Sequence, residues 1–399
     1  MRELAGKRPW RGYGLCLLTA LPLLVNAEGA DFDYQLQSDL RSYVYQGEKY
    51  RDSQDFNLYS DNFAQLMVNF FSRYHYQRLT VPVKIRASEK YSFDKRDDKS
   101  DLIVDEAFLD YSATDTLIFN LGRKQLVNGV AMGNNPTDFL NANKYQDRHL
   151  SDQQRRSEIK GDDVVGVVNY FASSSVQFYY LPSENASWLQ YAWNIPSMNT
   201  DTGFSWYHDD INAVGINIST TFTDKITGYI ENSLSDKRNR SVIDAQGNLH
   251  SESGLFTDLV LGSQYTFDNG ININAEYWYN QHGYSKEEYD DISAAVATGK
   301  IKYTDASRSL SMRNRYKNKL FFRLSDIPVN EDIRLEQTFI QSLTDNGYFL
   351  RSTVIGQLSD NSTLRVSMEF YQGNAQSEYG GNPINYGVFL SWQYFLESN

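Results

Sequence analysis

The chain has 399 residues, and Asp plus Glu (50) outnumber Lys plus Arg (38), for a net charge of −12. That balance speaks against nucleic acid as a partner. The single cysteine, Cys16, excludes disulfides, zinc–thiolate sites and cysteine nucleophiles from everything downstream.

The chain starts with a pattern expected of an export signal. Arg2, Lys7, Arg8 and Arg11 precede the apolar run Leu15–Val25, and Val25-Asn26-Ala27 supplies small-residue cleavage context. The run is too short for a membrane helix of ~20 residues. Residues 1–27 are therefore read as the signal and 28–399 as one domain. The signal is net +3, so the remainder carries −15. No later stretch reaches the ~18 consecutive apolar residues of a membrane helix.

Beyond the signal the dominant pattern is alternation. Segments with period two recur near 31–44, 60–74, 77–91, 101–112, 115–125, 163–172, 175–183, 211–222, 224–234, 255–267, 270–281, 315–325, 331–342, 346–358, 361–373 and 384–397. The clearest lie last: Leu364, Val366, Met368 and Phe370 alternate with Arg365, Ser367, Glu369 and Tyr371. Many run to about a dozen residues, twice the ~5–6 usual in globular sheets and suited to a tilted bilayer crossing of ~9–11. Hydropathy misses such strands because only alternate residues face lipid. The reading is an all-β, transmembrane, antiparallel up-and-down barrel of about sixteen strands, with fourteen to eighteen compatible, in contact with outer-membrane lipid.

The connections sort by length. Counted from a periplasmic N-terminus, one side has short turns such as His75-Tyr76, Ala113-Thr114 and Asp268-Asn269. The other carries 45–59, 126–162, 184–210, 235–254, 282–314 and 374–383, as expected of extracellular loops. Two faces read cleanly. Leu79, Val81, Val83, Ile85 and Ala87 face lipid, opposite Arg78, Thr80, Lys84, Arg86 and Ser88; Ile271, Ile273, Ala275, Tyr277 and Tyr279 face lipid, opposite Asn272, Asn274, Glu276, Trp278 and Asn280. Two strands resist. Asp105 and Glu106 are adjacent, so one falls on the wrong face without a bulge, and Arg123 shares parity with Leu117, Phe119 and Leu121.

The lumen is expected to be charged. Arg78, Lys84 and Arg86 come early; Lys319, Arg323, Arg334, Arg351 and Arg365 come late, on consecutive strands that would form a ladder up one wall. Acids share these faces: Glu106, Asp110, Glu231, Asp258, Glu276, Glu336 and Glu369. Fixed charge in a narrow aqueous pore biases which ions pass; the plainer alternative is mutual pairing, as of Arg365 with Glu369 or Arg334 with Glu336. Leu126–Asp162, rich in turn formers and mixed charge, either folds inward and narrows the pore or remains a solvated surface loop. Ser285–Ile301 reads as a capped amphipathic helix in an outer loop, which either plugs the pore or, the preferred reading, packs on the rim.

Leu121-Gly122-Arg123-Lys124-Gln125-Leu126-Val127-Asn128-Gly129, followed by Asn135-Pro136-Thr137-Asp138 and Arg155-Arg156, resembles the Gly-Arg-Gln…Trp-Gly…Asn-Pro-x-Asp pattern of alginate-export-like and related porin-type outer-membrane proteins. Glu106–Leu109 and Asn280–Tyr284 are also similar to those families, while Asn128 stands where the pattern has Trp. The resemblance implies a closed barrel whose Arg-lined lumen passes hydrophilic, often anionic, material without chemistry. It also implies that Arg123, Asp138, Arg155 and Arg156 sit near a constriction.

The five histidines lack metal-ligand spacing, and no Gly-x-Ser-x-Gly or phosphate loop is present. His208-Asp209-Asp210 is the best acid–base candidate, which keeps open a barrel hydrolase with its site in the extracellular loops. The leading expectation is a non-enzymatic outer-membrane channel, without cofactor or metal, for hydrophilic solutes or polysaccharide. Its expected pore-lining set is Arg78, Lys84, Arg86, Glu106, Arg123, Asp138, Arg155, Arg156, Glu276, Arg323, Arg334, Arg351, Arg365 and Glu369.

Overall fold

Eighteen antiparallel strands close on themselves. The structure, a computed structural model, describes residues 30–46, 62–93, 98–142, 144, 147, 149–243, 248–302, 316–374, 377–382 and 384–397. The expected signal, 1–27, lies outside the described residues. In chain order the strands are β1 (Ala30–Gln46), β2 (Phe63–Tyr76), β3 (Leu79–Ser92), β4 (Lys99–Ser112), β5 (Leu117–Lys124), β6 (Asp162–Tyr170), β7 (Ser174–Leu181), β8 (Ala186–Ile195) and β9 (Thr200–His208). The second half runs β10 (Asn212–Thr221), β11 (Ile226–Ile243), β12 (Leu249–Thr266), β13 (Asn272–Asn280), β14 (Asn318–Pro328), β15 (Ile333–Ser342), β16 (Tyr348–Ser359), β17 (Ser362–Gln372) and β18 (Tyr386–Glu397). Each strand pairs with its neighbours in sequence, and β1 pairs with β18 over Gln35↔Glu397 to Gln46↔Tyr386. A bilayer leaves no water for an unpaired edge, so closure satisfies the backbone on both sides.

The count corrects the sequence reading. The stretch 184–210, expected as one outer loop, is the hairpin β8–β9 turning through a 3-10 segment, Pro196–Met198, with Asn199 at φ 47°. Aromatic residues occupy both faces: Trp188 and Tyr207 point in, while Tyr191, Trp193, Phe204 and Trp206 point out. Simple apolar–polar alternation is therefore lost. The stretch 235–254 is also mostly strand, extending the β11–β12 hairpin beyond its neighbours with irregular register between Ser235 and Ser241.

The two strands that resist assignment have physical answers. β4 carries a bulge: Lys84 pairs with Glu106 but Ile85 pairs with Val104, so Asp105 is the extra residue and both acids turn inward. Arg123 keeps the outward parity of Leu117, Phe119 and Leu121. It sits at the outer end of β5, where it forms a two-pronged bond to Asp163 at 2.9 and 2.9 Å.

The outward face is apolar in mid-strand, with Leu66, Val165, Ile216, Ile230, Leu261 and Val354 exposed to the surroundings. Aromatic residues cluster at both ends of that band. Tyr91, Phe93, Tyr348 and Tyr386 lie at the outer end, and Tyr111, Phe171, Phe222, Tyr265 and Phe267 at the turn end. Such belts mark the two interfaces of a membrane barrel. Among the described residues two α-helices sit in outer connections: α1 (Asp152–Ser157) and α2 (Lys286–Ala297), each opened by a capping box, Ser151/Gln154 and Ser285/Glu288. α2 packs Ile292 and Ala295 against Val242 and Tyr284 on the rim, and Arg238 ties its Glu288 to Glu252.

An arginine at mid-bilayer on the lipid face costs ~2–4 kcal/mol. Phe204→Arg is therefore expected to lower the urea midpoint of the folded barrel by that equivalent, or to abolish the heat-modifiable band. Asp224→Arg, in the β10–β11 turn, should leave both unchanged.

Candidate functional site

The loop between β5 and β6, residues 125–161, enters the barrel and is held there by carboxylates of the wall. Glu231 on β11 accepts backbone N–H bonds from Val130 (2.8 Å), Ala131 (3.0 Å) and Thr137 (2.8 Å), plus the Thr137 hydroxyl (2.9 Å). Glu276 on β13 accepts from Met132 N (2.7 Å), Gly133 N (3.1 Å), Tyr229 Oη (2.6 Å) and Trp278 Nε1 (2.7 Å). Asp258 on β12 takes the Asn134 amide at 3.2 Å. Successive peptide N–H groups form an anion-binding concavity, and here the anions belong to the protein. Glycine permits the approach. A Cβ on Gly129, at φ 97°, would lie 2.7 Å from Glu231 Oε1, and one on Gly133 would lie 2.3 Å from Trp278.

The rest of the loop is tied to the opposite wall. Arg41 on β1 grips Glu158 through both terminal nitrogens, one bond at 3.0 Å, and also bonds Asp39. Arg86 on β3 bonds Asp105 at 2.8 Å and reaches Glu158 at 3.5 Å. Lys84 donates to the Ser157 carbonyl. His149 contacts Asp147 (2.7 Å) and Glu369 on β17 (3.3 Å), with its ring stacked on Phe389 and tilted against Tyr43. Burial would lower the His149 pKa, but the Glu369 charge and the Asp147 hydrogen bond outweigh it and hold it at about 9. Asp138, buried where the loop turns, is pushed up to about 6 by desolvation, although Asn141 and the Asn128 N–H bond to it. The loop thus crosses the lumen and does not lie on the surface.

Two chambers beside it share Gly133 and Arg155. One, of about 200 Å³, lies between the loop and the β14–β17 wall, lined by Met132, Arg155, Arg323, Glu336, Thr338 and Arg351 among others. The second, of about 730 Å³, opens beside β9–β13 and includes Asn134, Asp138, Arg156, Tyr207, Lys237 and Asp258. The β6–β8 side is filled by apolar packing of Leu126, Val164, Tyr179 and Trp188.

The late cations form two rows on the facing wall. Arg323, Thr338 and Arg351 share one register row, and Arg334, Ile355 and Arg365 share another. Arg323 bonds Glu336 at 2.7 Å and Arg351 bonds Glu369 at 2.7 Å; Arg365 stands 3.9 Å from Glu336. Arg334, half exposed at the turn end, reaches Asp326 at 3.4 Å. Opposite, Arg155 holds Asp152 and the Met132 carbonyl (2.9 Å), and Arg156 holds Asp152 and the Ala131 carbonyl (3.2 Å).

Not every expected residue joins the lumen. Arg78 lies in the β2–β3 turn with its guanidinium on the Ala113 carbonyl at 2.5 Å, outside the row of Lys84 and Arg86. Arg123 faces outward; its neighbour Lys124 is the inward cation, bonding Asp110 and lying over Phe108. Glu106 and Glu276 bind backbone N–H groups, of Gln125 in the first case, and are not free charges. Sequence reasoning misses Asp39, Arg41 and Tyr43, although polar residues at every second position beside Leu40 and Val44 carry the signal. The His208 dyad does not form. His208 faces out against Trp206 and bonds Asn212 at 2.8 Å, whereas Asp209 bonds Tyr207 and the Ile211 N–H.

No protein-family model matches the chain, and no curated protein does. Solved structures are similar in fold. Pseudomonas aeruginosa OccK2 (OpdF) aligns at a TM-score of 0.58 and 8% identity, covering 92% of this chain and 98% of that one. P. aeruginosa OprD aligns at 0.53 and 11%, covering 94% and 98%. A second OccK2 structure, in complex with glucuronate, aligns at 0.56 and 8%, covering 92% and 99%. The chain has the fold of these outer-membrane porins. They agree with the porin side of the resemblance at Leu121–Gly129; its alginate-export side has no counterpart among them.

The loop's anchors generate two expected outcomes. Glu231→Ala strands three backbone N–H groups, each costing ~1–3 kcal/mol when left unmade. The loop should detach, giving a larger, noisier single-channel conductance in a barrel that remains heat-modifiable; an unchanged conductance would mean the anchor does not hold it. The His149 pKa is raised above its ordinary 6.5, so the stability it contributes is complete below about pH 6.5 and is lost as pH rises through about 9. Melting temperature should fall across that window in the parent, and less in His149→Gln.

Proposed function

We propose that this chain is an outer-membrane channel for small hydrophilic anions, carboxylates above all, which pass along the Arg323, Arg351 and Arg365 wall beneath the inward loop. In this reading residues 1–27 are removed as the export signal. One observation carries it: Arg323 and Arg351 lie two strands apart across Thr338 and face Arg155 over a chamber of about 200 Å³. Three guanidiniums around so small a space suit a planar carboxylate, which such forks bind through two parallel bonds. The acids present are already engaged, Glu336 by Arg323 and Asp152 by Arg155 and Arg156.

The size of the passage favours small solutes over polymer, because the loop is tied to β1, β3, β11, β13 and β17 and divides the lumen. Glucuronate, the ligand in the similar OccK2 structure, is a solute of that class. In this reading the channel does no chemistry on the solute; His208 stacks on Trp206 and bonds Asn212, apart from Asp209, which bonds Tyr207.

Losing one charge-assisted contact costs ~1.5–3 kcal/mol, or about tenfold or more. Arg351→Ala with Arg323→Ala should cut uptake of glucuronate into proteoliposomes by at least that factor, while uptake of an uncharged sugar of equal size stays within about twofold of the parent. Equal loss of both solutes would reduce the arginines to structural supports. Equal uptake of both by the parent would remove the anion preference altogether.

A further inference from the structure

Met132 sits where the loop meets the arginine wall. Of the six methionines, Met198 and Met368 lie on the outer surface at 63% and 51% exposure, and Met67 is buried at 3%. Met132 alone among the described residues presents a thioether to the smaller chamber. Its sulfur accepts a hydrogen bond from Arg323 Nη1 at 3.2 Å. Its backbone cannot swing away, because the N–H is bound by Glu276 at 2.7 Å and the carbonyl by Arg155 at 2.9 Å.

We propose that Met132 is an oxidation site that throttles the channel: a peroxide or hypohalous acid entering the chamber converts its thioether to the sulfoxide, which captures Arg323. The inference rests on the channel reading above. The chemistry balances with the oxidant alone. The sulfur lone pair attacks one peroxide oxygen, the O–O bond breaks, an S–O bond forms, and the second oxygen leaves as water; sulfur loses two electrons and peroxide gains them.

Geometry dictates the effect on the passage. A thioether is a weak acceptor that parks a guanidinium without neutralising it. A sulfoxide oxygen is a strong one, and a hydrogen bond to it needs roughly 2.8 Å between oxygen and nitrogen. With Nη1 already 3.2 Å from sulfur, there is no room for that oxygen in line. The guanidinium must retreat into a chamber of about 200 Å³ or be pinned there. Either way the passage narrows and one anion contact is withdrawn.

The experiment uses the full channel in planar bilayers, with anion conductance read before and after hydrogen peroxide and the modified residues mapped by peptide mass. Oxygen on residue 132 should accompany a drop in anion conductance that methionine sulfoxide reductases reverse. Met132→Leu, compared with itself before treatment, should resist the drop, while Met368→Leu, altered on the lipid face, should show it in full. Oxidation of residue 132 without a change in conductance, or an equal drop in Met132→Leu, overturns the proposal. A parent with no conductance before treatment defeats the channel reading instead.

Discussion

Everything in the lumen depends on two buried carboxylates binding uncharged partners. Glu231 is fully buried and Glu276 nearly so, and each receives backbone N–H groups of the inward loop. A carboxylate withdrawn from water requires several donors, and successive peptide groups supply them without a counter-charge. The arrangement reverses the usual one, in which a protein's backbone cradles a foreign anion. Here the cradle is the loop and the anion is the wall, so the loop's path is set by where β11 and β13 place their acids.

That choice of partners explains how an acidic chain presents a basic face. The net charge of −12 is a sum over the whole chain, and the acids inside the barrel are not all spent on cations. Instead Glu106, Glu231 and Glu276 are bound to peptide N–H groups and Asp258 to an amide, none of which removes a cation from the lumen. Arg323, Arg351 and Arg365 then share Glu336 and Glu369, and Glu369 must also serve His149. The local field is set by which acids touch neutral groups and not by composition.

The barrel is legible in the sequence because a lipid face is a strong chemical constraint, and its strand count is less so for a reason tied to parity. Omitting β8 and β9 together leaves every other strand running in its proper direction, so the alternation of short and long connections cannot reveal the loss. Within that hairpin the usual period is masked by inward Trp188 and Tyr207 against outward Trp193 and Trp206. The bulge at Asp105 is equally hidden: two adjacent acids signal a break in alternation but do not say which partner strand absorbs it.

The site is half legible, and the missing half is a matter of distance across strands. Residues two apart on one strand share a face but lie ~6.6 Å apart and point in parallel, so Arg334 with Glu336 is a poor pair to expect, and Arg365 with Glu369, four apart at ~13 Å, a poorer one. Direct cross-strand neighbours approach to ~4.5–5.5 Å and face one another. Three of the ion pairs between strands follow that rule, since Arg351 with Glu369 and Arg123 with Asp163 are directly opposed and Arg323 reaches Glu336 on the diagonal, whereas Arg41 and Asp39 pair along β1 itself. Partners are therefore fixed by register, which turn geometry and bulges determine and a one-strand reading cannot supply. The loop obeys the same logic at longer range, since the bond from Val130 to Glu231 spans 101 residues and exists only once the cylinder has closed.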